Sequence, residues 1–173
     1  MSPSVHTRRE SNPSPSNTQG PKTGRILAID YGRKRIGLAL SDELWLTARP
    51  LETIVRTNRR NDLRRLREVC RKHGVTRIVV GLPLHMTGES GPMAEEASRF
   101  AARVGKELGI QVELADERLT TWEAEQMMDQ PPGPQEPPRG RRRPLDEVAA
   151  AILLRGYLEQ QRHRDGVTAA EKD

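Results

Sequence analysis

The sequence predicts an α/β fold in which a mixed five-stranded sheet is flanked by helices. Two short β-branched runs, 25–30 and 35–40, are joined by a turn containing Gly32, which is typical of a β-hairpin. After them, helical and strand-like periods alternate along the chain, so the sheet should contain both antiparallel and parallel pairs. A length of 173 residues suits one domain with its own core.

The elements follow from apolar periodicity, taken in chain order. A third strand is predicted over 51–55. Leu63, Leu66, Val69 and Cys70 recur at helical spacing, which indicates a helix over 61–72, with Cys70 as a buried thiol. Gly74 can adopt the left-handed conformation that ends such a helix.

The second half of the chain is predicted to alternate more regularly. The apolar run at 77–81 favours a strand covered on both faces. Capping and periodicity then predict a loop over 82–88, a helix over 92–108 that ends at Gly109, and a strand over 110–114. Two further helices are predicted over 120–128 and 145–158.

Three segments are too polar to belong to a core. The termini, 1–24 and 160–173, are predicted to be disordered tails around a domain of residues 25–159. Residues 129–143 contain five prolines and four arginines, which is typical of a mobile loop.

Composition restricts the function further. A net charge of +5 and a pI near 9.9 favour a nucleic acid partner. A single cysteine excludes an internal disulfide, and no apolar run is long enough to cross a membrane, so we expect a cytoplasmic protein. The pattern leaves open whether the chain is a monomer or a homodimer.

Acidic residues stand where predicted elements begin or end. Asp30 closes the first strand, Asp116 and Glu117 follow the last strand, and Asp146 lies in the first turn of the last helix. Carboxylates gathered at one point repel each other unless cations neutralise them, and Mg²⁺ or Mn²⁺ prefers such oxygen ligands. Two ions held there could promote phosphodiester cleavage.

Each acid also has a structural explanation. Asp30 could cap a turn, Asp146 could cap a helix, and Asp116 or Glu117 could pair with Arg118. The pattern by itself therefore permits an acidic cluster without requiring one.

Four motifs in order resemble the YqgF (RuvX) family, and they span about 25–158. They are Asp30–Tyr31–Gly32 with Arg35–Ala39, Ser41 and Asp42; Val79–Leu84 with Met86, Gly88 and Gly91; Asp116–Thr121; and Asp146 with Ala149, Ala150, Leu153, Tyr157 and Leu158.

The resemblance implies a ribonuclease H-like fold related to the Holliday-junction resolvase RuvC. It implies a metal-dependent endonuclease that matures the 5′ end of precursor 16S ribosomal RNA, with Asp30, Glu117 and Asp146 as catalytic, metal-binding acids. Asp116 competes with Glu117 for the second position. Cleavage of branched DNA and a non-catalytic RNA-binding or transcription-associated role are the alternatives.

Arginines near the acids are predicted to bind nucleic acid. Arg35 and Arg118 belong to the motifs. Before the last acid the family tends to carry a lysine, whereas this chain has Arg141, Arg142 and Arg143, which could also bind phosphate.

Overall fold

The computed structural model describes residues 24–85, 87–117 and 145–170, with side chains as far as 164. Within these ranges the chain forms, in order, β1 (Arg25–Tyr31), β2 (Arg35–Ser41), β3 (Ala48–Val55), α1 (Arg59–His73), β4 (Val75–Leu82), α2 (Pro92–Leu108), β5 (Gln111–Asp116) and α3 (Leu145–Ala170).

The five strands form one mixed sheet in the order β3-β2-β1-β4-β5. β1 pairs antiparallel with β2, and β2 pairs antiparallel with β3. β4 lies parallel to β1, and β5 lies parallel to β4. This confirms the predicted mixed sheet, and it brings the carboxyl ends of β1, β4 and β5 to a common edge.

Helices cover both faces of the sheet, because side chains alternate along each strand. Leu27 and Ile29 of β1 pack with α1 and α2 on one face. Ile26 and Ala28 pack with α3 on the other. All four are fully buried. Asp30 therefore continues the side of β1 that faces α3.

The helix signals in the sequence are confirmed where the structure describes them. One capping contact was not predicted: the side chain of Asn58 accepts a hydrogen bond from the Asn61 backbone N–H at 3.0 Å and caps the start of α1. Gly74 and Gly109 end α1 and α2 in the left-handed conformation. Cys70 is buried, as predicted, and burial raises the pKa of its thiol to about 11.

The end of the domain differs from the prediction. We expected order to stop at residue 159, but α3 continues to Ala170 and Gln161 is buried. From Arg162 to Arg164 the side chains are exposed, so the helix extends there without burying apolar residues, and apolar periodicity could not detect it. The predicted N-terminal tail before Gly24, the helix over 120–128 and the loop over 129–143 lie outside the described residues.

In the described part of the chain, no helix has the length and apolar character that a membrane span requires.

Candidate active site

Two of the predicted acids lie at the common edge of the parallel strands. Asp30 is the penultimate residue of β1 and is paired in register with Gly37 of β2. Glu117 directly follows β5, whose last residue, Asp116, is paired with Leu82 at the end of β4. Only β4 separates the two strands that carry these acids.

Strand alternation distinguishes Glu117 from Asp116. The Glu113 carboxylate accepts a 2.8 Å hydrogen bond from the Tyr157 hydroxyl of α3, and Ala115 packs on the same core as α3. Position 117 continues this set, and position 116 belongs to the opposite face of the sheet. The Glu117 carboxylate thus shares a face with Asp30, which supports the predicted order of preference between the two neighbouring acids.

Gly81 provides the space that the Glu117 side chain occupies. A Cβ placed on Gly81 would collide with Oε1 of Glu117 and would come within 3.1 Å of Leu153 Cδ2 on α3. Gly81 lies on β4, between the strands of the two acids. The absence of a side chain here lets the glutamate carboxylate lie across β4, on the side toward Asp30.

Gly37 leaves room for the backbone of the third acid, Asp146. A Cβ on Gly37 would overlap the backbone carbonyl of Asp146 in the first turn of α3. Because Gly37 is the register partner of Asp30, this close approach brings the start of α3 to the strand position beside that aspartate. Glycines inside strands commonly mark such backbone contacts.

The electrostatics of the three acids show that they interact. Burial, followed by the charge of Asp146, raises the pKa of Asp30 to about 6. Burial, followed by the charges of Asp30 and Asp116, raises the pKa of Glu117 to about 7. Asp30 therefore interacts with Asp146 and also with Glu117. Both shifts arise because the ionised forms are desolvated next to like charges.

Arg35 is the predicted arginine that the structure places at these acids. Its Nε lies 3.3 Å from Oδ2 of Asp146, and its side chain is 61% exposed. The guanidinium thus partly offsets the acidic charge and keeps most of its surface open to solvent. Arg118, Arg141, Arg142 and Arg143 lie outside the described residues.

The carboxylates are close enough to influence each other, but they do not form a finished coordination shell. Among the described residues, no three His, Cys, Asp or Glu side chains are arranged as a set that could hold a metal ion. The donor chemistry nevertheless fits a hard cation, since every acid of the cluster offers carboxylate oxygen, and a bound cation would offset the like charges that help to raise the pKa values of Asp30 and Glu117.

Sequence reasoning missed a cluster at the turn that follows β1. The Arg56 guanidinium donates to Asp62 Oδ2 at 2.9 Å and to the Gly32 carbonyl at 3.0 Å, and it stacks over the Tyr31 ring at 4.9 Å. Asp62 is 2% exposed. Arg56 occupies the short connection between β3 and α1, where no periodicity distinguishes it from a solvated arginine.

Comparisons with known proteins show the family to which the chain belongs. A family model described as "RuvX: Holliday junction resolvase" matches residues 24–160. A relative from Syntrophus aciditrophicus, named "Putative pre-16S rRNA nuclease", is 45% identical over 78% of this chain and 88% of its own length. A relative of the same name from Geobacillus kaustophilus is 44% identical over 80% of this chain and 99% of its own.

The fold is also similar to a solved structure. Thermus thermophilus RuvC, in complex with a Holliday junction substrate, superposes with a TM-score of 0.53 at 18% identity, over 80% of this chain and 96% of that one. At this identity the similarity shows a shared fold, which is ribonuclease H-like.

Proposed function

The chain belongs to the RuvX family, and we propose that it is a divalent-metal-dependent endonuclease that cleaves precursor 16S rRNA. The observation that carries the proposal is that Asp30, Glu117 and the start of α3 with Asp146 come together on the α3 face of the sheet, where Gly81 and Gly37 leave room for them. A partly buried group of acids raises the free energy of the folded chain unless cations neutralise it, and cations held there could act on a phosphodiester.

Asp30, Glu117 and Asp146 would hold one or two Mg²⁺ or Mn²⁺ ions through their carboxylate oxygens. Such ions, when bound, lower the pKa of a water molecule and offset the charge that develops on a phosphodiester. Gly81 and Gly37 keep the space in which the carboxylates can approach each other.

Arg35 would contact the phosphate beside the reacting one. Its guanidinium is anchored on Asp146 and is still largely exposed, so a phosphate oxygen can reach its free N–H groups. Arg118 and Arg141–Arg143 are proposed as further phosphate contacts, on the basis of the sequence alone.

The choice of RNA follows from the relatives that match over most of their length. Those relatives are named for precursor 16S rRNA and share 44–45% of their residues with this chain. The description of the family model favours a second candidate, cleavage of four-way DNA junctions. Coupled, partly buried acids argue against a purely structural or non-catalytic role, because such a role would not need them.

The test is cleavage of a precursor 16S rRNA fragment and of a four-way DNA junction, each with Mg²⁺, with Mn²⁺ and with chelator. We expect cutting of the RNA that chelator abolishes, and loss of cutting by at least about 100-fold in Asp30→Asn, Glu117→Gln and Asp146→Asn. Asp116→Asn is the matched control and should retain most activity.

Three outcomes would change the proposal. Equal loss in Asp116→Asn and Glu117→Gln would remove the assignment of the second acid. Faster cutting of the junction than of the RNA would favour the second candidate. Full activity in chelator would exclude the metal-dependent mechanism.

A further inference from the structure

The positive charge of the chain is concentrated on one helix. α1 contains six arginines and one lysine against Asp62 and Glu68, so its formal charge of +5 equals that of the whole protein. The remainder of the chain therefore sums to zero. Yet α1 packs on the face of the sheet opposite to α3 and the acids, so the proposed active site does not use this charge.

Four of the arginines form a line along the exposed side of α1. Arg60, Arg64, Arg67 and Arg71 are spaced four, three and four residues apart, which places them on one strip of helix surface. At 1.5 Å per residue the strip is about 16 Å long. All four are exposed. We refer to them as the arginine strip.

The strip is not neutralised within the described part of the chain. Arg60, Arg64 and Arg71 form no ion pair with a carboxylate there, and Arg67 donates to the backbone carbonyl of Glu107 at 3.0 Å. The nearby acids are already engaged or lie beside the strip. Asp62 is buried and pairs with Arg56, Glu68 pairs with Arg65, and Glu107 lines a shallow groove together with Arg60.

This arrangement lowers the stability of the isolated protein. Like charges at i,i+3 and i,i+4 destabilise a helix by a few tenths of a kcal/mol each, and the strip contains three such pairs. Arg59 and Arg60 also stand in the first turn, where the helix dipole disfavours positive charge. A helix surface whose charges destabilise the free protein is expected where a polyanion binds and neutralises those charges.

We propose that the arginine strip of α1 is a second nucleic-acid-binding surface that holds the phosphate backbone of a folded RNA behind the active site. The inference rests on the proposed function, since a long precursor rRNA can reach both faces of a small protein whereas a short substrate cannot. The spacing of the guanidinium groups along the strip suits contact with consecutive phosphates of the RNA backbone. Such contacts do not depend on the base sequence.

The test compares two double variants that remove the same charge. Arg64→Gln with Arg71→Gln alters the strip. Arg99→Gln with Arg162→Gln removes two exposed arginines elsewhere. Both are placed in the Asp30→Asn background to prevent cutting. The probes are a folded precursor 16S rRNA fragment of roughly 100 nucleotides, a 12-nucleotide RNA and a DNA duplex matched to the long RNA, titrated across a salt series.

For the strip variant we expect affinity for the long RNA to fall about tenfold at moderate salt, and the slope of log K against log salt to fall by about 1.5. The control variant should keep the wild-type slope, and the 12-nucleotide RNA should lose little affinity in either. Thermal melting should show the strip variant to be at least as stable as the parent, because repulsion is relieved.

Equal losses in the two variants would overturn the proposal, since they would report net charge alone. If the strip variant changed the salt slope for the DNA duplex but left the slope for the long RNA unchanged, RNA would be the wrong partner. Failure of the nuclease proposal would be seen separately. In that case the wild-type chain would not cut the RNA, while the difference in salt slope between the strip variant and the control variant would remain.

Discussion

At the scale of single residues, the site depends on two glycines, because their lack of a side chain leaves room for the acids. Gly81 and Gly37 sit inside strands, where glycine is normally unfavourable, and each leaves room for one acid of the cluster. They differ in what a methyl group would strike. At Gly81 it meets the end of a flexible glutamate side chain, and at Gly37 it meets helix backbone.

We therefore expect Gly81→Ala to separate activity from stability. The Glu117 carboxylate can rotate away from the new Cβ, so the free energy of unfolding should change by less than about 1 kcal/mol, while RNA cleavage falls at least about tenfold. The measurements are a denaturant melt and a cleavage rate under saturating Mg²⁺.

Gly105→Ala is the control for this substitution. Its Cβ would lie 3.3 Å from Val112 Cγ2, away from the acids, and alanine is a better helix former than glycine. Activity should remain near that of the parent. Cleavage by Gly81→Ala at the parent rate would show that the carboxylate does not need its present position.

These residues also show how much of the site could be predicted from the sequence. Periodicity located Asp30, Asp116, Glu117 and Asp146 at the end or the start of elements. The resemblance to the RuvX family then implied Asp30, Glu117 and Asp146 as the metal-binding acids. The glycines could have been noticed, since both interrupt apolar strands. Arg56 could not, because its partners Asp62, Gly32 and Tyr31 come together only through tertiary packing.

At the scale of elements, the cluster around Arg56 holds the turn after β1 against the start of α1. The guanidinium joins the Gly32 carbonyl to Asp62 in the first turn of α1, and it lies over the Tyr31 and Phe100 rings. Gly32 follows Asp30 by two residues. The orientation of the first acid is therefore tied to the connection between β3 and α1.

Arg56→Gln should destabilise the protein by about 3 kcal/mol, because it leaves Asp62 charged and buried without its ion-pair partner, with the Thr57 backbone N–H still donating to it. Cleavage should fall in addition, at temperatures where the variant is fully folded. The measurements are urea unfolding and cleavage at low temperature.

Arg65→Gln is the matched control. Arg65 bridges Glu52 and Glu68, but its side chain is 50% exposed, so its removal should cost less than about 1 kcal/mol and leave cleavage unchanged. A similar, small loss in both variants would mean that the Arg56 cluster behaves as a surface ion pair.

Element boundaries show which physical signals the sequence carries. All strands and helices predicted in the described ranges are present, but β3 begins at Ala48 instead of 51, and α1 begins at Arg59 instead of 61. The first residues of α1 are arginines, and β3 pairs with β2 through a register shift near Pro50. Such starts are polar or irregular, and of the three residues added to β3 only Ala48 packs on a core, so they show no apolar periodicity.

At the scale of the whole molecule, charge is divided between the two faces of the sheet. Acids with raised pKa values lie on the α3 face, and the arginine strip lies on the other. Each face is unfavourable in the isolated chain. The first would be relieved by cations and the second by phosphates, so stability should respond to both kinds of ligand.

The acidic face gives the metal-free protein a characteristic dependence on pH. Asp30 and Glu117 have pKa values of about 6 and about 7 when folded, against ordinary values of 3.8 and 4.5. Between about pH 4 and pH 7 the folded chain therefore binds more protons than the unfolded chain, and stability falls as the pH rises through this window. The loss is complete about one pH unit above the folded pKa of Glu117.

We expect Glu117→Gln to be more stable than the parent at pH 8 in chelator, with a difference that shrinks toward pH 5. His73, whose pKa is lowered, contributes the opposite slope, but it is present in both proteins and cancels in the comparison. Added Mg²⁺ should reverse the order, because it binds the ionised carboxylates. At 100 times its dissociation constant it would stabilise the parent by about 2.7 kcal/mol.

Asp116→Asn is the control, and it should gain as much stability from Mg²⁺ as the parent does. The decisive measurement is the shift in melting temperature on adding Mg²⁺ at pH 8 and at pH 5, for parent, Glu117→Gln and Asp116→Asn. A shift of equal size at both pH values, or in Glu117→Gln, would mean that the cation binds elsewhere on the protein. A shift confined to the ionised parent and the Asp116 variant would tie metal binding to the same carboxylates whose repulsion destabilises the free chain.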